Sequence, residues 1–427
     1  MSITGTRRDA LLGIVGFGLT NAMPRLAFAR EVKPAAWAKL PTEPYPGKQD
    51  DIVFVDRQTG WYGNGKGRLY ATRDGGDSWT KLLDRPGTFI RALGFIDAQV
   101  GILGNIGPGS FPGVTDTTPL YRTTDGGSTW TPVTQIEGPT PKGVCAIDVL
   151  RQPFVNSGVL DHRVTIRAGG RVGGPAHLLT STDLGRSWIS RDMAPLTAMI
   201  LDVHFVTERM GFIAGASDAD VEVSNAIVLK TVDGGTSWRR VYQSKRPFEI
   251  TWKLSFPSRR VGYVTVQNYN PDEAVAARVV AKTTDGGETW TELPLATDHK
   301  LQELGIGFVD ERRGWVGGST GGYETRDGGR SWTSVDIGRA VNKLRIVRDA
   351  LGKRILRSEP KSAGRISSTE LLRETKQDIA LSLRRSTPPL SGASLTRTGR
   401  KDTCDPAITS KSRPANCMKS HKVYRYD

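Results

Sequence analysis

Thr72-Arg73-Asp74-Gly75-Gly76-Asp77-Ser78-Trp79 reads as Ser/Thr-x-Asp-x-Gly-x-Ser/Thr-Trp. The same box recurs at Thr123 to Trp130, Ser181 to Trp188, Thr231 to Trp238, Thr283 to Trp290 and Thr325 to Trp332. Its aspartates, Asp74, Asp125, Asp183, Asp233, Asp285 and Asp327, are 51, 58, 50, 52 and 42 residues apart. A self-similar unit of that size is the length of a four-stranded propeller blade and decides the fold class before any single residue does.

A second signature precedes most boxes. Phe54 to Gly60, Phe95 to Gly101, Phe205 to Gly211, Phe256 to Gly262 and Phe308 to Gly314 share the spacing Phe-x5-Gly. Apolar residues alternate before it and another apolar residue follows the glycine, so each reads as strand, tight turn, strand. A third strand, such as Leu69 to Thr72, enters the box, and a fourth, such as Trp79 to Leu82, leaves it. The expected fold is all-β: a seven-bladed propeller of four-stranded antiparallel blades. Six boxes supply six blades. Residues 340–347 resemble a further first strand, and Trp37-Ala38-Lys39-Leu40 resembles the exit strand Trp79-Thr80-Lys81-Leu82. A blade shared by both ends, with residues 36–41 paired beside 341–347, would close the ring and hide its edges.

The box residues explain themselves as scaffold. The aspartate can accept N–H groups that a tight turn leaves unpaired. Glycine takes positive φ without a Cβ penalty. Because Asp183 is followed by Leu184, only the second glycine is expected to be obligatory. The tryptophans, Trp79, Trp130, Trp188, Trp238, Trp290 and Trp332, bury between neighbouring sheets. Identical outer turns point away from any single pocket, so function is expected on another face, where copies differ or arginines line up. The third unit lacks Phe-x5-Gly and carries Arg151, Arg163, Arg167 and Arg171, and inserts occur at Gly107 to Thr118 and Asn268 to Arg278.

The chain has 427 residues and a formal net charge of +15. Residues 358–427 supply +7 and residues 1–29 supply +2, so the body is only mildly basic and nucleic acid is not an expected partner. Residues 1–29 read as an export signal: Arg7-Arg8, a short apolar run, then Ala27-Phe28-Ala29. The paired arginines and Arg25 fit the twin-arginine route; Ala10 and Leu12 depart from its usual pattern, and an ordinary secretory signal is the alternative. Either route puts the mature chain, starting near Arg30, in the periplasm or outside the cell. The propeller is expected over 30–357 and a disordered basic tail over 358–427, whose abrupt start also fits a change of coding frame. Cys145 reads as a buried thiol, while Cys404 and Cys417 are placed to pair in an oxidising compartment. No metal-ligand spacing is present, and neither metal nor cofactor is expected.

The boxes, Phe-x5-Gly and the export signal resemble the photosystem II stability/assembly factor family over roughly residues 36–350. The resemblance implies a seven-bladed propeller that is not an enzyme, binds newly made reaction-centre polypeptide, and uses an arginine patch. Here Arg209, Arg260 and Arg312 share one turn position in three successive blades, with Arg259 and Arg313 beside them. They are the candidate binding residues, for a protein partner, on a monomer with peripheral membrane association. The box also occurs in sialidases, xyloglucanases and sortilin-like receptors. A glycoside hydrolase is therefore the alternative, with Asp116, Asp148, Asp161, Asp202, Asp218, Asp220, Glu222, Asp272 and Glu273 as candidate carboxylates. A periplasmic carbohydrate-binding lectin is a third reading. No motif selects a catalytic residue.

Overall fold

The computed structural model describes residues 37, 40–45, 49–157, 159–272, 274, 277–297, 301–338, 340–346 and 380–382. The export signal, residues 358–427 apart from 380–382, Glu273, Cys404 and Cys417 lie outside the described residues. Among the described residues there are strands and turns but no helix.

Six antiparallel sheets follow one another along the chain, each holding four consecutive strands in sequence order. Blade 1 comprises 49–54, 60–64, 68–72 and 80–84. Blade 2 comprises 90–95, 101–105, 120–123 and 131–132. Blade 3 comprises 146–156, 159–170, 177–181 and 187–192, with 135–137 added parallel to its last strand. Blade 4 comprises 199–205, 211–216, 226–231 and 239–243. Blade 5 comprises 249–255, 262–268, 279–283 and 291–294; blade 6 comprises 303–308, 314–318, 322–325 and 333–335.

Aromatic contacts join the blades. Trp61 of blade 1 stacks on Phe95 of blade 2 at 3.5 Å, Phe212 on Phe256 at 4.1 Å, and Tyr263 on Phe308 at 3.6 Å. The box tryptophan then meets that phenylalanine edge-on, as Trp130 meets Phe95 and Trp332 meets Phe308. A ring so placed removes on the order of 200 Å² from water, roughly 5 kcal/mol before entropy is charged against it.

The expected count of seven four-stranded blades is not met: the described residues contain six. At the seventh position stands a two-stranded sheet in which 344–346 pairs with 380–382. The last box ends at Trp332, and beyond residue 346 the described residues are 380–382 alone. Among the described residues of 36–41 and 341–347 no ladder joins the two stretches, and 344–346 pairs with 380–382. First and fourth strands of a blade are separated by two others, so they do not share a ladder in any of the six.

The contact is made by side chains. Trp37 packs with Val341, Leu344 and Trp315, its ring edge-on to Trp315 at 5.7 Å, as Trp290 is to Phe212 of the preceding blade at 6.4 Å. Leu40 packs on Gly76 as Leu82 packs on Gly127 and Leu293 on Gly329. Trp37 and Leu40 thus fill the side-chain positions of an exit strand between blades 6 and 1. Glu43 fixes the segment that follows: it accepts from Arg68 at 2.7 Å and from the Tyr70 hydroxyl at 2.5 Å.

The ring's centre is filled with charge. Arg91 of blade 2 is ion-paired to Asp50 of blade 1, and its guanidinium lies 4.9 Å from the ring of Trp252 in blade 5. Trp252 Nε1 donates to Asn342 at 3.1 Å. Lys343 reaches Asp51 at 3.7 Å and, across the axis, Asp202 of blade 4 at 3.9 Å. Lys253 pairs with Asp202 at 3.6 Å, and Arg345 with Asp51 at 3.2 Å. Burial pushes the Lys343 ammonium down to about 7, and Arg345 beside it adds to the effect. Asp51 stays below the ordinary range: burial raises it, but Arg345, Lys343 and the Leu93 N–H outweigh that.

Candidate partner-binding face

Each box closes on itself. Thr72 Oγ1 donates to Asp74 at 2.7 Å and accepts from Gly76 N at 2.7 Å. Asp74 accepts from the amide and hydroxyl of Ser78, at 2.9 and 2.6 Å. The same bonds recur around Asp327, where the Ser331 hydroxyl and amide hold the carboxyl at about 2. The residue after the aspartate takes φ of 73° at Gly75 and 77° at Gly328, and Leu184 takes 64° in their place. The first position thus takes positive φ as the second does, but Leu184 shows that a residue other than glycine can hold it, at a strain of about 1–2 kcal/mol.

In the five blades that carry one, the Phe-x5-Gly turn lies on the same end as the box. Gly75 N donates to Gln58 O and Gly126 N to Gln99 O. Gly234 N donates to Arg209 O, Gly286 N to Arg260 O and Gly328 N to Arg312 O, at 2.9, 2.7 and 2.7 Å. This overturns the expectation that the arginines sit on a face away from the boxes. A period identifies which residues correspond; it does not say which ends of two hairpins coincide.

Among the five candidate arginines, Arg260 and Arg312 are brought together. They line an open cleft of ≈ 640 Å³ between blades 5 and 6, with Lys282, Arg330, Glu311 and Asp327. Lys282 Nζ donates to Gly328 O at 2.8 Å, and burial lowers its pKa, with Arg330 adding to the effect. Four cations face two carboxylates there, and Asp327 is occupied by its own box. Arg209 is exposed one blade away, its Nε 3.3 Å from Val232 O. Arg259 is exposed and outside the cleft lining. Arg313 is turned inward: Nε donates to Glu324 at 3.0 Å and the guanidinium lies 5.0 Å from the Trp315 ring. Lys282, just before the fifth box, and Arg330, at a variable position within the sixth, are cleft residues that the repeat pattern alone does not select. What was missing was the knowledge that boxes and arginine turns share an end.

Several of the candidate carboxylates are bound into the scaffold. Asp148 accepts from Phe205 N at 3.2 Å and Asp202 from Leu254 N at 3.0 Å, each latching one inner strand to the next. Asp51 does the same to Leu93 N at 3.0 Å. Asp116 accepts from the hydroxyls of Thr88 and Tyr121 at 2.5 and 2.7 Å. Asp218, Asp220 and Asp272 each accept a backbone N–H two residues ahead.

No family model matches the chain. Photosystem II assembly lipoprotein Ycf48 of Synechococcus sp. (strain CC9902) is 26% identical over 208 residues, which is 40% of this chain and 59% of that protein. The chain resembles the photosystem II assembly factors. It spans 59% of the length of the curated relative it matches. Among solved structures, YCF48 from Cyanidioschyzon merolae has a TM-score of 0.51 at 17% identity, covering 73% of this chain and 94% of that one. The GH74 xyloglucanase from Xanthomonas campestris has a TM-score of 0.52 at 15% identity, covering 73% and 51%. Those two likenesses concern the propeller fold, which assembly factors of this kind share with unrelated activities.

Proposed function

We propose that this chain is a non-catalytic, exported assembly or stability factor that binds a protein partner through the face carrying the boxes. The observation that carries the reading is the cleft where Arg260, Arg312, Lys282 and Arg330 converge on Glu311 and Asp327. An excess of cations at an open cleft suits an acidic polypeptide segment, and Arg209 and Arg259 extend the positive charge toward blade 4. The curated relative, named as an assembly lipoprotein of photosystem II, supports the same class of role and an exported or membrane-associated setting. The signal pattern over residues 1–29 supports export by the twin-arginine route. Peripheral association with a membrane, at which such a partner would be inserted, follows from that role.

The test is a crosslinking pull-down from the exported and membrane fractions with the full chain and with the Arg260→Glu/Arg312→Glu variant. Reversal of two charges is expected to cut capture of an acidic partner at least tenfold, and raised salt to weaken the wild-type complex. Equal capture by both proteins would overturn the assignment of the cleft. Turnover of aryl glycosides by the purified chain would overturn the non-catalytic reading.

A further inference from the structure

Blade 3 also departs from the other five in the length of its first hairpin. Its first two strands, 146–156 and 159–170, pair over eleven residues, from Ala146↔Gly169 to Asn156↔Val159. The third strand covers only 166–170. Residues 159–165 therefore form an arm whose outer edge has no partner strand among the described residues. The arm stands on the boxed face: Arg163 reaches Glu208 at 3.5 Å, in the turn of blade 4 that carries Arg209, and Arg151 donates to Ile96 O at 3.0 Å, in the turn of blade 2.

An open edge exposes unpaired N–H and C=O groups that pair readily with another strand. At its centre, the His162 N–H is held by the carboxylate of the preceding residue, Asp161, at 2.7 Å. Arg163 is loosely engaged, 66% exposed and at 3.5 Å from its nearest carboxylate. Asp161, His162 and Arg163 are all exposed.

The open segment of seven residues has His162 as its midpoint. Antiparallel pairing with an identical strand about a two-fold axis places residue 161 opposite 163 and residue 163 opposite 161. Asp161 of each copy then faces Arg163 of the other, two cross-strand ion pairs from one symmetry operation. We propose that two copies of this chain associate through this edge, joining their arms into a continuous four-stranded antiparallel sheet. On association the Asp161 carboxylate leaves the His162 N–H for Arg163 of the partner, and the freed N–H enters the ladder. A competing role for charges on an edge is to repel other strands. The order Asp-His-Arg, self-complementary about its midpoint, favours pairing.

Seven residues span about 23 Å of strand. An interface of that size is small, so a reversible dimer with a dissociation constant in the micromolar range or weaker is expected. Sedimentation velocity of the full chain, from about 5 µM to about 1 mM, tests it across that range. The mass should rise with concentration toward twice that of the chain. Arg163→Asp places carboxylates opposite each other at both positions and should weaken association at least tenfold. The swap Asp161→Arg/Arg163→Asp should restore it. Asp161→Arg alone, which opposes arginines, repeats the test if Arg163→Asp fails to fold. A monomer over the whole range, or a dimer indifferent to these charge changes, overturns the proposal.

Discussion

At the scale of single residues, the box acts as a self-satisfied turn. Thr72 is 1% exposed and its hydroxyl serves both the Asp74 carboxylate and the buried Gly76 amide. Thr72→Val keeps the shape and strands that amide, so a loss of about 1–3 kcal/mol is expected, read from urea denaturation midpoints. The box aspartates also contribute to the loss of stability in acid. Asp125, Asp183 and Asp327 are held near about 2; for the first two burial opposes the shift and the neighbouring hydroxyl and amide donors outweigh it, and for Asp327 the Ser331 hydroxyl leads. Folded values lie below the unfolded one of about 3.9, so the unfolded chain binds more protons as the pH falls. Stability from these groups is fully present above about pH 4 and is lost progressively toward pH 2. A thermal melt series from pH 5 to pH 2 should show the midpoint falling most steeply below pH 4.

At the scale of elements, each blade reaches forward to the next box. Trp61 Nε1 donates to Gly126 O, Arg122 to Leu184 O, Arg191 to Gly235 O and Lys282 to Gly328 O, while Lys230 pairs with Glu288. Between blades 6 and 1 the join is made instead by Trp37, Leu40 and the strand 344–346. Trp37→Ala should therefore destabilise the protein by about 2–3 kcal/mol, below the full cost of a buried tryptophan because the ring is half-buried. Hydrogen exchange should accelerate at 314–318 and 344–346 before it does in blades 2 to 4. The blades were legible in the sequence because the box and Phe-x5-Gly each combine a fixed spacing with glycine and an aromatic. Blade 3 was less legible: without the phenylalanine, nothing in Arg151 to Arg167 distinguishes a long paired arm from a loop. The charged centre was hidden for another reason. Asp51, Asp202 and Lys253 sit on the first strands of three different blades and Lys343 just before 344–346, so that Lys343 comes within 4 Å of both Asp51 and Asp202 only when the ring closes.

At the scale of the whole molecule, that centre ties strands from blades 1, 2, 4 and 5 to residues 342–345. It holds Asp50, Asp51 and Asp202 against Arg91, Lys253, Lys343 and Arg345, one cation in excess. The folded pKa of Lys343, about 7, lies below the unfolded value of about 10.4. Between those values the unfolded chain binds more protons, so stability contributed at this site rises with pH. The slope is at most about 1.4 kcal/mol per pH unit. Lys343→Met should flatten the rise between pH 7 and about 9.5 and leave Asp51 with Arg345 and Asp202 with Lys253. Denaturation of both proteins at four pH values checks this; a parallel dependence would contradict it. The seam described between blades 6 and 1 also has a mechanical meaning. Trp37 and Ile346, near the two ends of the propeller chain, meet there. A pull on those ends loads side-chain packing and a three-residue ladder before any four-stranded sheet is strained. The ring should open like a clasp at low force, and the six blades should then yield one after another at higher force.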